Sequence, residues 1–351
     1  MHRILKWLFS FLLAVGLFVW YTCYTTGYFR QIEPYFRGEI YDQIPLAGVE
    51  DMHLIYSDSL LILSADDRAA RRDKQPQQGH LYLLDLRQEP WTLQPLTSNL
   101  DFTFYPHGIS VIANGPHHHT VYAINHAADT HTIEHFELLG DSLVYRQTLR
   151  HPSMRSPNDI VALGNGQFYF TNDHRYTGKW GKLLEDYLGL ALSNVIYFDG
   201  TSYREVASGI AFANGIHYDP DRELCFVASP RHFLLKVYRR TATGELDFIE
   251  DIDCGTGVDN ISLAPDGKLW IGCHPNLLAF AAYAKGDKPY SPSEVIRLDY
   301  RAPGDYEQEL IYLEDGQLMA AATVAVPWQE YIFVGNVMDE AFLVLQQSTD
   351  N

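Results

Sequence analysis

A pattern of polar and apolar positions recurs six times along the chain. Each copy opens with one or two polar residues, continues with an apolar run and a turn, and in its clearer examples ends in a β-branched or aromatic strand. The copies start at Glu50, His107, Asn158, Asn214, Asp259 and, in degenerate form, Ala320, at intervals of 57, 51, 56, 45 and 61 residues. Strands and turns repeated every 40 to 50 residues or so are typical of propeller blades, and longer intervals leave room for loops. The pattern therefore predicts an all-β protein, a six-bladed β-propeller.

The third copy shows the chemistry of the pattern most clearly. Its apolar strand at 160–163 and its aromatic strand at 168–171 are joined by a Gly-Asn-Gly turn at 164–166, which predicts a hairpin. Asn158 and Asp159 stand directly before the apolar strand. A buried carboxylate is costly unless a cation or several donors meet it, so the pair predicts a positive partner here.

An apolar stretch at residues 4–21 contains Lys6 as its only charge and follows Arg3. It is long for the core of a signal peptide, and no small-x-small cleavage motif follows, so we predict an uncleaved transmembrane or signal anchor over residues 1–22. The positive N-terminal flank places that end in the cytoplasm and the remainder on the exported side, periplasmic or extracellular; cleavage would instead give a secreted protein. Residues 23–45 are expected to form a connector and residues 46–351 the propeller.

One segment departs from the β pattern. Apolar residues at 180, 183, 184, 187 and 188 follow helical spacing and predict a short amphipathic helical insertion over residues 179–190. Two interpretations stay open: the helix packs its apolar face on the propeller, or it forms a lid or a membrane-facing helix over a site.

Charge and cysteine content narrow the functional classes. The 351-residue chain carries 26 Lys and Arg against 44 Asp and Glu, a formal net charge of −18. Nucleic-acid binding needs a concentrated basic face, and the only basic cluster lies at 68–74, so no nucleic-acid partner is expected. Four scattered cysteines do not make a disulfide framework or a zinc site.

The polar residues that open the copies predict a metal site. The innermost strand of each blade runs along the central channel, so these residues should meet at one end of it. They are Glu50 or Asp51, His107, Asn158 or Asp159, Asn214, and Asp259 or Asn260. Carboxylate and amide oxygens favour a hard cation such as Ca²⁺, whereas zinc or copper would call for more His and Cys. Any one of these residues alone could instead be a turn former.

Six ordered motifs resemble one family, the calcium-dependent paraoxonases and arylesterases. They are Pro-Asn-Asp-Ile-Val-Ala at 157–162, Phe-Tyr-Phe-Thr-Asn-Asp-His at 168–174, Tyr-Leu-Gly-Leu-Ala at 187–191, Phe-Ala-Asn-Gly-Ile at 212–216, Val-Asp-Asn-Ile-Ser at 258–262 and Leu-Trp-Ile-Gly-Cys-His-Pro-Asn at 269–276. The resemblance runs from about residue 48 to 343. It implies a six-bladed propeller with two calcium ions in its channel, one catalytic and one structural.

The resemblance also implies roles for individual residues. The catalytic ion would be held by Glu50, Asn158, Asn214, Asp259 and Asn260, and the structural ion by Asp51, Asp159 and the carbonyl of Ile109. His107 and His126 match a histidine dyad proposed to activate water, and Asp173, His174 and His274 would be neighbours of the site. Two departures stand out: the family's disulfide has no counterpart, so closure must rest on hydrogen bonds and packing, and a family histidine is replaced around 231–233, which leaves the substrate range open.

These features predict a calcium-dependent hydrolase of small-molecule lactones and carboxylic (aryl) esters. The ion would polarise the carbonyl, and His107, supported by His126, would take a proton from attacking water. No Gly-x-Ser-x-Gly elbow suggests a serine nucleophile. The alternatives are a gluconolactonase-like or strictosidine-synthase-like propeller and a non-enzymatic calcium-binding propeller. The histidines at 117–119 are expected in a solvent-exposed hairpin loop rather than a metal patch.

Overall fold

The computed structural model describes residues 2–127 and 130–348. The N-terminal helix α1, His2–Thr25, is long and apolar enough to cross a membrane, and its apolar side chains are exposed. A signal sequence near an N-terminus can meet the same criteria of length and composition. Two strands follow α1, β1 at Tyr35–Phe36 and β2 at Gly38–Pro45.

The remaining strands form six sheets around a channel, which confirms the predicted six-bladed propeller. Blades 1 and 2 comprise β3 Val49–Ile55, β4 Leu60–Ala65, β5 His80–Asp85, β6 Leu93–Pro95, β7 Pro106–Gly115, β8 His118–Asn125, β9 Thr132–Leu139 and β10 Ser142–Leu149. Blades 3 and 4 comprise β11 Pro157–Gly164, β12 Gln167–Asn172, β13 Ser193–Phe198, β14 Tyr203–Ile210, β15 Ile216–Asp219, β16 Leu224–Ser229, β17 Leu234–Arg240 and β18 Leu246–Asp253. Blades 5 and 6 comprise β19 Gly257–Leu263, β20 Leu269–His274, β21 Ser293–Ala302, β22 Asp305–Glu314, β23 Ala322–Trp328, β24 Tyr331–Asn336 and β25 Ala341–Gln347.

Segment 23–45 takes part in two blades. Strand β1 pairs with β22 at the outer edge of blade 5, and β2 supplies the fourth strand of blade 6 by pairing with β25 from Gly38 opposite Gln347 to Pro45 opposite Ala341. All four cysteines are free, so hydrogen bonds close the ring. Tyr41 of β2 packs on Tyr331 and Trp91, with ring centroids 4.8 and 5.7 Å away, and adds an aromatic contact to the closure.

The hairpin of the third copy forms as predicted. Asn165 and Gly166, between β11 and β12, both have positive φ, 52° and 74°, which matches the twist of a two-residue hairpin turn. Buried apolar side chains fill the spaces between adjacent blades; Leu61 and Phe333, for example, lie in one cluster joining blades 1 and 6. The polar starts of the inner strands are thereby fixed around the channel.

Four helices accompany the strands among the described residues: α1, α2 at Arg68–Arg72, α3 at Lys179–Leu188 and α4 at Leu277–Lys285. Helix α3 is the predicted insertion, ended by Gly189 in the left-handed conformation. Helix α4 was not predicted because its apolar residues show no amphipathic period. The sequence signals for this helix are its two ends. The Asn276 side chain accepts a hydrogen bond from Ala279 N at 2.9 Å, and Gly286 ends the helix with φ 80°.

The histidines at 117–119 do not all lie in an exposed loop. His118 and His119 begin strand β8, and His119 is buried with its Nε2 3.0 Å from Oδ2 of Asp58. His117, mostly exposed, lies 3.2 Å from the same oxygen. The expected solvent-exposed loop is therefore wrong for His119, because β8 extends to the turn and turns its ring toward blade 1.

Candidate functional site

Five buried polar side chains meet at one end of the channel: Glu50, Asn158, Asn214, Asp259 and Asn260. Each has one buried oxygen without a hydrogen-bond partner in the described structure, namely Glu50 Oε2 and the Oδ1 atoms of Asn158, Asn214, Asp259 and Asn260. A buried, unsatisfied polar atom costs about 1–3 kcal/mol. Five such oxygens from blades 1, 3, 4 and 5 at one place indicate that something positive belongs between them.

Glycines let neighbouring blades approach closely around these side chains. A Cβ on Gly108 would lie 2.5 Å from Oδ1 of Asp159, and a Cβ on Gly215 would lie 2.3 Å from the carbonyl oxygen of Asp259. No larger residue fits without displacing backbone or a buried carboxylate. This explains the polar-Gly-Ile sequence that begins the second and fourth copies.

A second polar layer lies deeper in the channel. Asp51 accepts from Met52 N at 2.8 Å and from Ile109 N at 2.7 Å, while Asp159 accepts from Ile160 N and Ile216 N, both at 2.7 Å. Each carboxylate thus joins its own blade to the next. Both aspartates and Ile109 line a cavity of about 310 Å³ below the upper site. Consecutive residues of the inner strands therefore serve two levels, as alternation along a strand requires.

The electrostatics of the two layers favour a bound cation. Burial raises the pKa of Glu50 to about 7, with Arg68 opposing this and Asp259 adding to it. Burial also raises the pKa values of Asp51 and Asp159 well above their ordinary range, and the neighbouring carboxylates add to the effect. No group of three or more His, Cys, Asp or Glu suited to a metal occurs among the described residues. The upper donor set mixes two carboxylates with three amides, and oxygen donors of this kind fit a hard cation such as Ca²⁺.

His107 and His126 lie beside this site as a pair of rings 4.8 Å apart. Nδ1 of His107 lies 2.7 Å from Nη2 of Arg68, and its Nε2 lies 3.6 Å from Oε1 of Glu50. Burial lowers the pKa of His126 to about 3 and that of His107 well below its ordinary value, so both rings are neutral. His131 stacks edge-on against His126 at 4.8 Å and was missed from the sequence because it lies outside the repeated motif.

Asp173 and His174 connect the site to helix α3. Nδ1 of His174 lies 2.8 Å from Oδ1 of Asp173, and Nε2 lies 3.0 Å from Oδ1 of Asp186 on α3. Burial alone would lower the pKa of His174, but its hydrogen bonds to both carboxylates outweigh burial and raise it to about 9. His174 is therefore an imidazolium that holds α3 to the propeller.

His274 hydrogen-bonds to the carboxylate of Asp259, one of the candidate metal ligands. Its Nε2 donates to Oδ2 of Asp259 at 2.8 Å, and its ring stacks on Phe280 of α4 at 4.1 Å. Asn260 in turn donates its Nδ2 to the carbonyl oxygen of Glu50 at 3.0 Å. These bonds orient the side chains and leave the Oδ1 atoms free.

A cavity of about 710 Å³ opens above the five oxygens. Its floor includes Glu50, Asn158, Asn214, Asp259, His107 and His126, and its apolar wall comes from Leu183, Tyr187, Phe212, Leu277, Leu278 and Phe280. Leu183 and Tyr187 belong to α3, whose Trp180 is 79% exposed on the other side. Helix α3 thus covers the cavity and presents apolar residues outward as well.

The end of α1 contributes to the same cavity. Thr26 lines it, and the carbonyl oxygen of Thr26 accepts from the N–H of Leu277 at 2.9 Å. Arg231, in the region where the family histidine is replaced, donates to the carbonyls of Thr25 and Tyr187, both at 3.3 Å. Arg231 therefore ties α1 to α3 at the rim of the cavity.

A cluster of five unsatisfied oxygens at one end of the channel defines the class of protein, a six-bladed propeller with a polar site at the end of its channel. The chain belongs to the arylesterase family, whose family model matches residues 72–344. It is 33% identical over 302 residues to serum paraoxonase/arylesterase 1 of Homo sapiens, covering 84% of each chain. It is 31% identical to serum paraoxonase/lactonase 3 of Oryctolagus cuniculus, covering 83% of each. This membership supports a role as an ester or lactone hydrolase.

Solved structures with low sequence identity share the fold. A luciferin-regenerating enzyme superposes with a TM-score of 0.55 at 12% identity, covering 91% of this chain and 96% of that one. A protein assigned as a gluconolactonase superposes with a TM-score of 0.53 at 13% identity, covering 90% and 92%. Both likenesses concern the propeller architecture alone.

Proposed function

We propose that the protein is a calcium-dependent hydrolase of lactones and carboxylic, including aryl, esters. The observation that carries the proposal is the convergence of five buried oxygens without partners beneath a large cavity, in a chain of the arylesterase family. Calcium bound there would polarise a substrate carbonyl and stabilise the oxyanion. Its ligands would be Glu50, Asn158, Asn214, Asp259 and Asn260, and a second, structural ion would take Asp51, Asp159 and the carbonyl of Ile109.

His107 and His126 are the proposed dyad that moves the proton of the attacking water. Both rings are neutral and partly exposed, and Nε2 of His107 lies 3.6 Å from Oε1 of Glu50, so either ring can accept a proton without first losing one. His274 keeps Asp259 oriented, while Asp173 and His174 hold α3 over the cavity.

The cavity favours a neutral substrate with an apolar part. Three of the four cations that line it in the described structure are engaged by the protein. Arg231 donates to backbone carbonyls, and Arg68 contacts carbonyls and His107. Arg71 pairs with Asp66 at 2.8 Å. The side chains of α3 and α4 then offer apolar surface to the acyl or alcohol group of an ester or lactone.

We also propose that α1 anchors the protein in a membrane with the propeller on the exported side. The apolar residues of α1 and Trp180, Leu184 and Leu188 of α3 are exposed, and the end of α1 lies at the cavity rim. This arrangement suits a mouth that faces the lipid surface.

A calcium-dependent activity assay tests the function. Full-length protein in detergent should hydrolyse aryl esters and lactones with calcium and lose turnover in EDTA. Asn158→Ala should weaken calcium binding by about tenfold or more, since losing even a residue that only hydrogen-bonds to a metal ligand typically costs about that much. Asn99→Ala, at an exposed position, should leave calcium binding unchanged. Calcium binding without turnover of any ester or lactone would contradict the proposal and favour a binding propeller.

A gluconolactonase-like enzyme is the second candidate, on the shared fold alone. The two stacked carboxylate layers argue against this second candidate, because they suit two ions rather than one. A count of two bound calcium ions per chain would support the first proposal, and one ion with turnover of sugar lactones would support the second.

A further inference from the structure

Arg68 lies beside the site and is engaged by the protein on several sides. It begins helix α2, whose N-terminus is capped by Asp67 through a 2.8 Å bond from Ala70 N. The buried guanidinium donates to the carbonyls of Gly48 and Pro106, both at 3.3 Å, and contacts Nδ1 of His107 at 2.7 Å. These groups belong to blades 1 and 2, so Arg68 holds two blades and is not free to bind a substrate.

The contact between Arg68 and His107 fixes the tautomer of the imidazole. A guanidinium has five N–H donors and no acceptor, so Nδ1 of His107 must be the acceptor and cannot carry a proton. With no proton on Nδ1, the ring proton of His107 lies on Nε2, the nitrogen 3.6 Å from Oε1 of Glu50. Ser64 also donates to the carbonyl of His107 at 2.6 Å, so backbone and ring are both held.

We infer that Arg68 is a positioning residue that keeps the ring proton of His107 on Nε2, which makes His107 a hydrogen-bond donor at the site and leaves His126 as the proton acceptor. The inference rests on the proposed hydrolysis and reverses the order within the dyad expected from the sequence. Nε2 of His126 is buried and has no partner in the described structure, so in the tautomer with its proton on Nδ1 this nitrogen is free to accept a proton.

The reaction then balances through His126. An O–H bond of water breaks, the proton goes to Nε2 of His126, and the water oxygen bonds to the carbonyl carbon while the C=O π electrons move to the carbonyl oxygen. When the C=O bond re-forms, the C–O bond to the alcohol breaks and the same proton passes to the alcohol oxygen. Throughout the reaction the Nε2–H of His107 donates a hydrogen bond to an oxygen in the cavity, and His107 keeps its proton.

The tautomer can be measured without any turnover. In protein labelled with ¹⁵N-histidine, two-bond correlations distinguish the two neutral tautomers, and His107→Gln identifies the signals of His107. We expect a proton on Nε2 in the wild type and in Arg68→Lys, which keeps a donor without an acceptor, and mixed tautomers in Arg68→Met. A proton on Nδ1 in the wild type would overturn the inference, whether or not the protein hydrolyses esters.

Kinetics test the consequence. Arg68→Met should lower kcat about tenfold or more with little change in KM, Arg68→Lys should recover kcat to within about threefold, and Arg87→Met, an exposed arginine, should match the wild type. His126→Gln should lower kcat about a hundredfold or more, and His107→Gln much less, since Gln keeps a donor. Equal losses for the two histidines, or full kcat in Arg68→Met, would overturn the inference, whereas absence of turnover in the wild type would contradict only the proposed hydrolase.

Discussion

Glu50→Gln should change stability in opposite directions with and without calcium. In the ion-free protein Glu50 is buried beside Asp259, and its pKa is raised from 4.5 to about 7. A carboxyl whose pKa is raised by folding prefers its protonated form in the fold, so its ionisation destabilises the fold as the pH rises from 4.5 to 7. At pH 8 this shift corresponds to about 3 kcal/mol, at about 1.36 kcal/mol per pKa unit.

Gln removes that cost and keeps an acceptor for Nδ2 of Asn260, which lies 3.2 Å from Oε1. In EDTA at pH 8 the variant should therefore unfold about 4 °C higher than the wild type, given roughly 2.1 cal/mol/K of unfolding entropy per residue over 351 residues. With millimolar calcium the order should reverse, because the wild type gains ligand stabilisation that the variant loses.

Differential scanning calorimetry at pH 8 and pH 5 provides the measurement. At pH 5 the ion-free difference should shrink to about 1 kcal/mol, because Glu50 is protonated in the fold and the pH is only about half a unit above the ordinary pKa of 4.5 that it has in the unfolded chain. Glu307→Gln, at a side chain 77% exposed, controls for the loss of one negative charge. A variant less stable than the wild type in EDTA at pH 8, or equal stabilisation of both by calcium, would refute the reasoning.

Three further predictions concern helix α3 over the cavity, the aromatic contacts that help close the propeller, and the end of helix α1. Asp186→Asn should speed amide hydrogen exchange in α3 at pH 7. Exchange in the wild type should also speed up as the pH rises through about 9, where His174 loses its proton. Unchanged exchange would contradict a role of the His174–Asp186 contact in holding α3. Trp91→Ala should lower the urea-measured free energy of unfolding by about 3 kcal/mol, since its ring packs on Tyr331 and Tyr41, and a loss below about 1 kcal/mol would contradict an aromatic closure. Deleting residues 2–28 should raise KM for an aryl ester above that after deleting 2–22, because only the longer deletion removes Thr26 from the cavity wall; equal KM values would show that Thr26 has no such role.

The repeat made the propeller predictable because polar starts and buried strands recur at every blade. The repeat placed the pairs at 50–51 and 158–159 at the channel, and the structure puts Glu50 and Asn158 on one level and Asp51 and Asp159 on another, since adjacent residues on a strand face different ways. The assignment of ions to these levels came from the family resemblance and stays a prediction.

Helices α2 and α4 and the cation beside the dyad could not be predicted from the sequence pattern. Helix α4 is apolar on all sides and so resembles a strand or a core segment by composition. Arg68 looked like part of a basic surface cluster, because its burial depends on Gly48 and Pro106, which are 20 and 38 residues away. Long-range contacts of this kind leave no local signal.

The two carboxylate layers differ in how they depend on a cation. Asp51 and Asp159 each accept two backbone N–H bonds, one from the next blade, so part of their stabilisation is supplied by the fold itself. The Oδ1 of Asp259 and the Oε2 of Glu50 have no such donor. Loss of calcium should therefore disturb the upper layer first, while the links from blade 1 to blade 2 and from blade 3 to blade 4 persist. The lower pair then serves blade packing in either state, and the upper layer is where the proposed ion and a substrate carbonyl would be bound together.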